Sequence, residues 1–159
     1  MSVTRLVLPA AVRAGVVEYC SVLLPDEGCG LLAGSVTGQV AVVSRWFGVP
    51  NVVELGSARV AYVMNPLVQV KVWRDVEAAG LSVVGVFHSH PDGPAVLSWR
   101  DRSLALDDEL VQVVVGFVPG PGVDVRAWRV LGGSVRAGRR VGGVATRVPI
   151  DNAVGSSVA

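Results

Sequence analysis

The stretch Val83-Val84-Gly85-Val86-Phe87-His88-Ser89-His90-Pro91 decides how the rest of the chain is read. Its apolar run predicts a buried strand. It ends in the only two histidines of the 159 residues. Side chains at i and i+2 of a strand share a face, so His88 and His90 project together, roughly 6–7 Å apart at Cα. That separation lets two imidazole nitrogens converge on one metal ion. Pro91 removes the next ladder donor, and Asp92-Gly93-Pro94 carries turn chemistry.

Working outward, the flanking segments predict a mixed chain. Before the histidines, Asn65-Pro66 sets an N-cap and first turn for a helix over Leu67–Ala79, burying Leu67, Val70, Trp73 and Val76, and Gly80 ends it. After them, Ser98-Trp99-Arg100-Asp101 opens a helix to about Asp108. Strands follow over Leu110–Val118, Val123–Leu131 and Ser134–Val141, the last entered through a Gly132-Gly133 hairpin turn. Upstream, a strand over Val3–Leu8 leads into a helix from Pro9 to Pro25, with Val12, Val16, Tyr19, Cys20 and Leu23 at helical spacing. Asp26-Glu27-Gly28-Cys29-Gly30 then turns into strands Leu31–Gly34 and Gln39–Phe47, paired across Ser35–Gly38. Ala58–Met64 alternates as a further strand. The expected fold is α/β of mixed, α+β-like type, a mixed central sheet flanked by helices without regular βαβ alternation. Residues 1–141 form one domain, and 142–159 read as a loosely ordered C-terminal extension.

Composition removes several function classes. Lys+Arg 14 against Asp+Glu 13 leaves a net charge of +1, which calls for neither nucleic acid nor a membrane surface. Mean hydropathy is high at +0.53, but Val, Ala and Gly produce it, without an unbroken apolar run long enough for a transmembrane helix. Pro9 and Arg13 interrupt the N-terminal apolar run, so a signal peptide is not expected. Two cysteines without close spacing, Cys20 and Cys29, make neither a disulfide framework nor a zinc cage and suit a reducing cytoplasm. No glycine-rich phosphate loop is present. Arg126, Arg129, Arg136, Arg139 and Arg140 read as a solvated face that could also meet an acidic partner.

A hydrolytic zinc site needs three protein ligands, an open position for water, a base and an oxyanion donor. His88, His90 and Asp101 supply two imidazoles and a carboxylate; Glu27 is an acid on a glycine-flanked turn; Ser98 lies one helical turn before Asp101. Each also has a plainer reading. The histidines can be polar residues at a strand end, and Glu27 a solvated turn residue. Ser98-x-x-Asp101 matches a helix capping box. Spacing alone leaves these open.

The pattern His88-Ser89-His90, seven residues Pro91–Leu97, then Ser98-x-x-Asp101 resembles the JAMM (MPN+) motif of zinc metalloproteases. Pro25-Asp26-Glu27-Gly28-Cys29-Gly30-Leu31-Leu32 resembles that family's upstream glutamate segment, and the likeness extends over about residues 3–135 through Asn51 and Tyr62–Pro66. The resemblance implies a cytidine-deaminase-like core. It implies Zn2+ held by His88, His90 and Asp101, Glu27 as general acid/base, and Ser98 steadying the tetrahedral intermediate. The implied reaction is hydrolysis of an amide or isopeptide bond at the C-terminus of a ubiquitin-like or sulfur-carrier protein, as in small prokaryotic members that release a residue from a carrier's C-terminal Gly-Gly. The chain departs from many bacterial relatives in having Leu97, where they have proline before the serine. Two alternatives stand beside this: a non-catalytic MPN-type binding module and a zinc hydrolase of small-molecule amides. A nucleobase deaminase would need Pro-Cys-x-x-Cys, which is absent. The oligomeric state, monomer or homodimer, is left open.

Overall fold

A computed structural model describes residues 2–105, 107–120, 122–132, 134–136, 139–141 and 143–152. In chain order the elements are β1 (Arg5–Val7), α1 (Ala10–Val22), β2 (Cys29–Thr37), β3 (Val40–Val49), α2 (Pro66–Ala78), β4 (Ser82–His90) and α3 (Trp99–Leu104). They continue with β5 (Val111–Gly116), β6 (Asp124–Leu131), β7 (Ser134–Arg136), β8 (Arg139–Val141), β9 (Val144–Val148) and β10 (Ile150–Asp151). Eight strands form one mixed sheet in the order β10-β1-β3-β2-β4-β5-β6-β9, with β7 and β8 a separate antiparallel pair. This is the mixed α/β architecture expected from the sequence.

The histidine strand lies inside the sheet, antiparallel to β2 and parallel to β5. Both edges of β4 are therefore paired, and packing covers both of its faces. Val84 and Phe87 pack with Leu32, Val43 and α1 residues Val16 and Cys20. Val83 and Val86 pack on the other face with Leu31, Ala33 and α2 residues Val72 and Val76. A one-residue shift in the β2–β4 register, where Leu32 pairs Gly85 and Ala33 pairs Val83, lets Val83 and Val86 share a face. From Val86 onward the alternation is regular, so His88 and His90 emerge on the α2 side and Ser89 on the α1 side.

The parallel β4–β5 pair requires a crossover, and that crossover carries α3 beside the strand ends. α2 is capped by Asn65, whose side chain accepts from Leu67 N and Val68 N, with Pro66 at the first position. The β2–β3 hairpin closes through Gly38-Gln39, with Gly38 at φ 60°, so β2 runs past the Ser35–Gly38 turn expected from sequence.

Several expectations are corrected. Ala58–Met64 is not a strand; it is a turn-rich loop tied down by an isolated Asn51–Met64 bridge. Helix α2 buries Val72 and Val76, with Val68 and Trp73 partly packed, while Leu67 and Val70 are exposed. The i, i+4, i+8 stripe Val68-Val72-Val76 wins because it faces β2 and β4 directly. Leu23 caps α1 and is partly exposed. α3 ends at Leu104 rather than Asp108. β6 pairs with β9, not with the segment after Gly132. The stretch from 142 is not a loose extension where described: β9 extends one side of the sheet and β10 pairs parallel with β1 at the other edge. Residues 153–159 lie outside the described residues. Arg129 is buried within β6 and so does not belong to a solvated face, whereas Arg126 is partly exposed and ion-paired to Asp124; the side chains of Arg136, Arg139 and Arg140 lie outside what is described.

Candidate functional site

The site sits where β4 stops. His88 is fully buried and His90 half-buried at the strand end. Their Nε2 atoms approach to 3.2 Å. Asp101, in the first turn of α3, closes the group: Oδ1 lies 3.4 Å from His88 Nε2 and Oδ2 lies 3.3 Å from His90 Nε2. Among the described residues these three form the group able to hold a metal, with ligand atoms all within 4.8 Å of one another.

The capping box expected at Ser98-x-x-Asp101 forms. Ser98 Oγ accepts from Asp101 N at 3.1 Å, and Asp101 Oδ2 accepts from Ser98 N at 2.7 Å. The same carboxylate faces both imidazoles, so capping and facing the cluster are one arrangement: the cap fixes where Asp101 points.

The donor set fits a cation. His90 Nδ1 sits 2.9 Å from the Pro94 carbonyl, a bond it can make only as donor. In the neutral ring Nε2 then carries a lone pair, and it faces His88 Nε2 and the Asp101 carboxylate. Acceptors pointing at one another are unfavourable until a proton or metal ion sits between them. Without a metal the cluster leans toward the proton. Burial depresses the His90 pKa, but hydrogen bonds to Asp101 and Pro94 outweigh it and leave it raised. Burial likewise pushes Asp101 up, and the bonds from His88, His90 and Ser98 overcome it and hold the carboxyl well below its ordinary range. Two imidazoles and one carboxylate are donor types that zinc, a borderline-soft ion, accepts.

Glu27 is not a solvated turn residue: it is 5% exposed, and its Oε2 has no hydrogen-bond partner among the described residues. Burial pushes its carboxyl from 4.5 up to about 7; His90 opposes the rise, Asp101 adds to it and Arg100 opposes it. The backbone around it is tied on both sides. Glu27 N donates to Ala58 O at 2.7 Å, and Asn51 Nδ2 donates to Glu27 O at 3.1 Å. Gly28 lets the turn close on α1, since a Cβ there would lie 3.1 Å from Cys20 Sγ and 3.3 Å from Leu23 Cδ1. Glu27, His90 and Ser98 line one open cleft, together with Arg59, Val60 and Pro94. The fold thus brings together all five residues singled out in the sequence.

Two nearby side chains carry more than the sequence suggested. Tyr62 stacks on His88, with ring centroids 4.7 Å apart at 23°. Asn51 uses its whole amide. Nδ2 donates to Glu27 O and Ala61 O, both at 3.1 Å, and Oδ1 accepts from Val53 N at 3.1 Å and Val63 N at 3.0 Å. The available signal was an Asn after Gly-Val-Pro at a strand end, a position where Asn bonds local backbone. Cys29, beside the site in sequence, takes no part: it is buried, its thiol donates to Val49 O at 3.3 Å, and burial pushes it up to about 12.

A family model described as prokaryotic homologs of the JAB domain (Prok-JAB) matches residues 9–131. The chain belongs to this family. Two curated relatives match over part of the chain. The first, from Thermus thermophilus, is named a probable TtuB-protein conjugate cleaving protease and is 42% identical over 77 residues, 48% of this chain and 47% of the relative. The second, from Haloferax volcanii, is named a desampylase and is 37% identical over 81 residues, 51% of this chain and 55% of the relative. The chain thus spans about half the length of the curated relatives it matches. Among solved structures, a protein from Desulfitobacterium hafniense has the same fold at TM-score 0.74 and 24% identity, covering 92% of this chain and 91% of its own. One from Salinibacter ruber gives TM-score 0.56 at 27% identity, covering 80% and 82%. Among the described residues no helix is long and apolar enough to cross a membrane.

Proposed function

We propose that this JAB-family chain is a zinc-dependent metallopeptidase that hydrolyses an amide or isopeptide bond at the C-terminus of a ubiquitin-like or sulfur-carrier protein. One observation carries the reading: His88, His90 and Asp101 converge in one cluster, and His90 opens with the buried Glu27 and with Ser98 onto one cleft. The relatives named for conjugate cleavage and desampylation point to the same substrate class.

His88 Nε2, His90 Nε2 and the Asp101 carboxylate would hold the zinc. Zinc bound there supplies Lewis acidity that makes water a competent nucleophile near neutral pH. Glu27 is the proton carrier. Burial raises its pKa in the metal-free protein, a bound cation would lower it again, and a carboxyl balanced between the two can accept the proton of the attacking water and return it to the leaving amine. Its Oε2 has no hydrogen-bond partner among the described residues, so the carboxyl is not committed elsewhere. Ser98 Oγ accepts from Asp101 N, which leaves its own hydroxyl proton for the oxyanion of the tetrahedral intermediate. The cleft is open, as a protein substrate threading a flexible tail requires.

The test pairs metal content with cleavage. Reconstituted protein should bind one zinc, and His90→Ala should lose it. Glu27→Gln should keep zinc and lose hydrolysis of a carrier extended beyond its terminal Gly-Gly. Cleavage at wild-type rate in Glu27→Gln removes Glu27 from the reaction. An intact carrier alongside cleavage of a small amide points instead to a small-molecule hydrolase.

A further inference from the structure

A histidine ligand keeps its aim when its second nitrogen is held. His90 Nδ1 is held by the carbonyl of Pro94, in the irregular loop between β4 and α3. That loop has no ladder of its own, and Leu97 does not stiffen it as a proline would. It is nevertheless pinned from β6. Asp124 Oδ2 accepts from Ala95 N at 3.0 Å, and Trp128 Nε1 donates to Ala95 O at 2.9 Å. Ala95 is fully buried between them.

We propose that Asp124 and Trp128 are positioning residues for the metal ligand His90, acting through the Pro94–Ala95 peptide. The proposal rests on the metal-site reading above. The Pro94 carbonyl and the Ala95 N–H belong to one planar peptide, whose two polar groups point in opposite directions. Asp124 takes the N–H and His90 gives its proton to the C=O, so one peptide bridges a carboxylate to an imidazole. A carboxylate on the N–H polarises the peptide and makes its oxygen a better acceptor. The effect resembles a carboxylate–histidine–metal pairing with a peptide between. Trp128 grips the other side of Ala95 and stops the peptide from rotating.

The supporting residues are ordered in turn. Arg126 Nε donates to Asp124 Oδ1 at 2.8 Å, which keeps Oδ2 for Ala95. The Arg147 guanidinium lies 5.4 Å from the Trp128 ring centroid. Asp124, Arg126 and Trp128 are alternate residues of one strand and so share a face. The near end of the loop is fixed to the end of β5, through Phe117 N to His90 O and Gly93 N to Phe117 O, both 3.0 Å.

The experiment measures metal, not turnover. Zinc affinity is read by competition with a chromophoric chelator, and ligand geometry by the visible spectrum of the Co2+-loaded protein. The proteins are wild type, Asp124→Ala, Asp124→Asn and Trp128→Phe, with thermal melts recorded for each. Asp124→Ala should bind zinc about tenfold more weakly, within the range seen when support of a ligand is lost, and should shift the Co2+ bands. Asp124→Asn keeps one acceptor for Ala95 N–H but loses the charge and the second acceptor, and should restore both in part. Trp128→Phe keeps an aromatic ring in the site, deletes the donor along with part of the ring volume, and should weaken zinc in the same direction. Wild-type affinity and spectrum in Asp124→Ala and Trp128→Phe would overturn the proposal. So would an Asn variant as impaired as the Ala variant. If wild type takes no metal, or His90→Ala takes it equally well, the metal-site reading fails and this proposal with it. If wild type binds and the β6 variants match it, only this proposal fails.

Discussion

Glu27→Gln should make the metal-free protein more stable above neutral pH while abolishing the activity of the zinc-loaded protein. Glu27 is 5% exposed and its Oε2 has no partner among the described residues, so its charged form is poorly accommodated. Burial raises its pKa from 4.5 to about 7. At about 1.4 kcal/mol per tenfold change in proton affinity, that rise corresponds to about 3 kcal/mol. The sign follows from which state binds the proton. Between pH 4.5 and about 7 the folded chain holds a proton on Glu27 that the unfolded chain has released. Stability from this group is therefore fully present below 4.5 and is lost as pH rises through about 7. The amide does not ionise and keeps it. Urea unfolding of both proteins, with a chelator present, should give near-equal stability at pH 4 and an advantage of about 3 kcal/mol for the variant at pH 8. The chelator matters because a bound cation would draw the Glu27 pKa down. Other titrating groups are common to both proteins and cancel in the difference. Equal stabilities at pH 8, or a less stable variant, would refute the buried, proton-holding Glu27.

Asn51→Leu leaves Glu27 O, Ala61 O, Val53 N and Val63 N without their side-chain partner; it should cost about 2–3 kcal/mol in urea unfolding and lower kcat, because the Glu27 turn loses a tether. Gly116→Ala would put a Cβ 2.5 Å from Ala95 N and 2.7 Å from Gly93 O and Pro94 C, all backbone; the loop must move, and chelator competition should find weaker zinc binding, whereas unchanged affinity would separate the loop from the site. Zinc at a hundredfold excess over its Kd should stabilise wild type by about 2.7 kcal/mol, seen as a raised melting temperature; His90→Ala should show no such rise.

The sequence carried the site better than the fold around it. His88-x-His90 is legible because a strand alternates strictly, so two identical ligand types at i and i+2 must share a face. Asp101 was ambiguous between cap and ligand because a capping box needs the same residues, and only the packing of α3 against β4 brings both uses onto one carboxylate. Glu27 was legible only by resemblance, since its burial depends on Asn51 and the 52–63 loop folding over it. Leu67 and Val70 misled because helix periodicity finds an apolar stripe without saying which stripe meets the sheet. The C-terminal strands β9 and β10 were missed because each is short and is stabilised by pairing with β6 and β1 from far along the chain. Asp124 and Trp128 read locally as ordinary strand residues; their use is set by a loop about 30 residues earlier, a contact that local pattern does not encode.

The most direct test of zinc-dependent hydrolysis at a carrier's C-terminus is intact-mass analysis of the products formed in 18O-labelled water. The substrate is a ubiquitin-like carrier joined through its terminal Gly-Gly to an amine, incubated with zinc-loaded protein. Hydrolysis there predicts one 18O on the carrier's new C-terminal carboxylate, none on the released amine, and no reaction with Glu27→Gln. A conjugate returned intact by the zinc-loaded wild type, or a cut at any other bond, would contradict it.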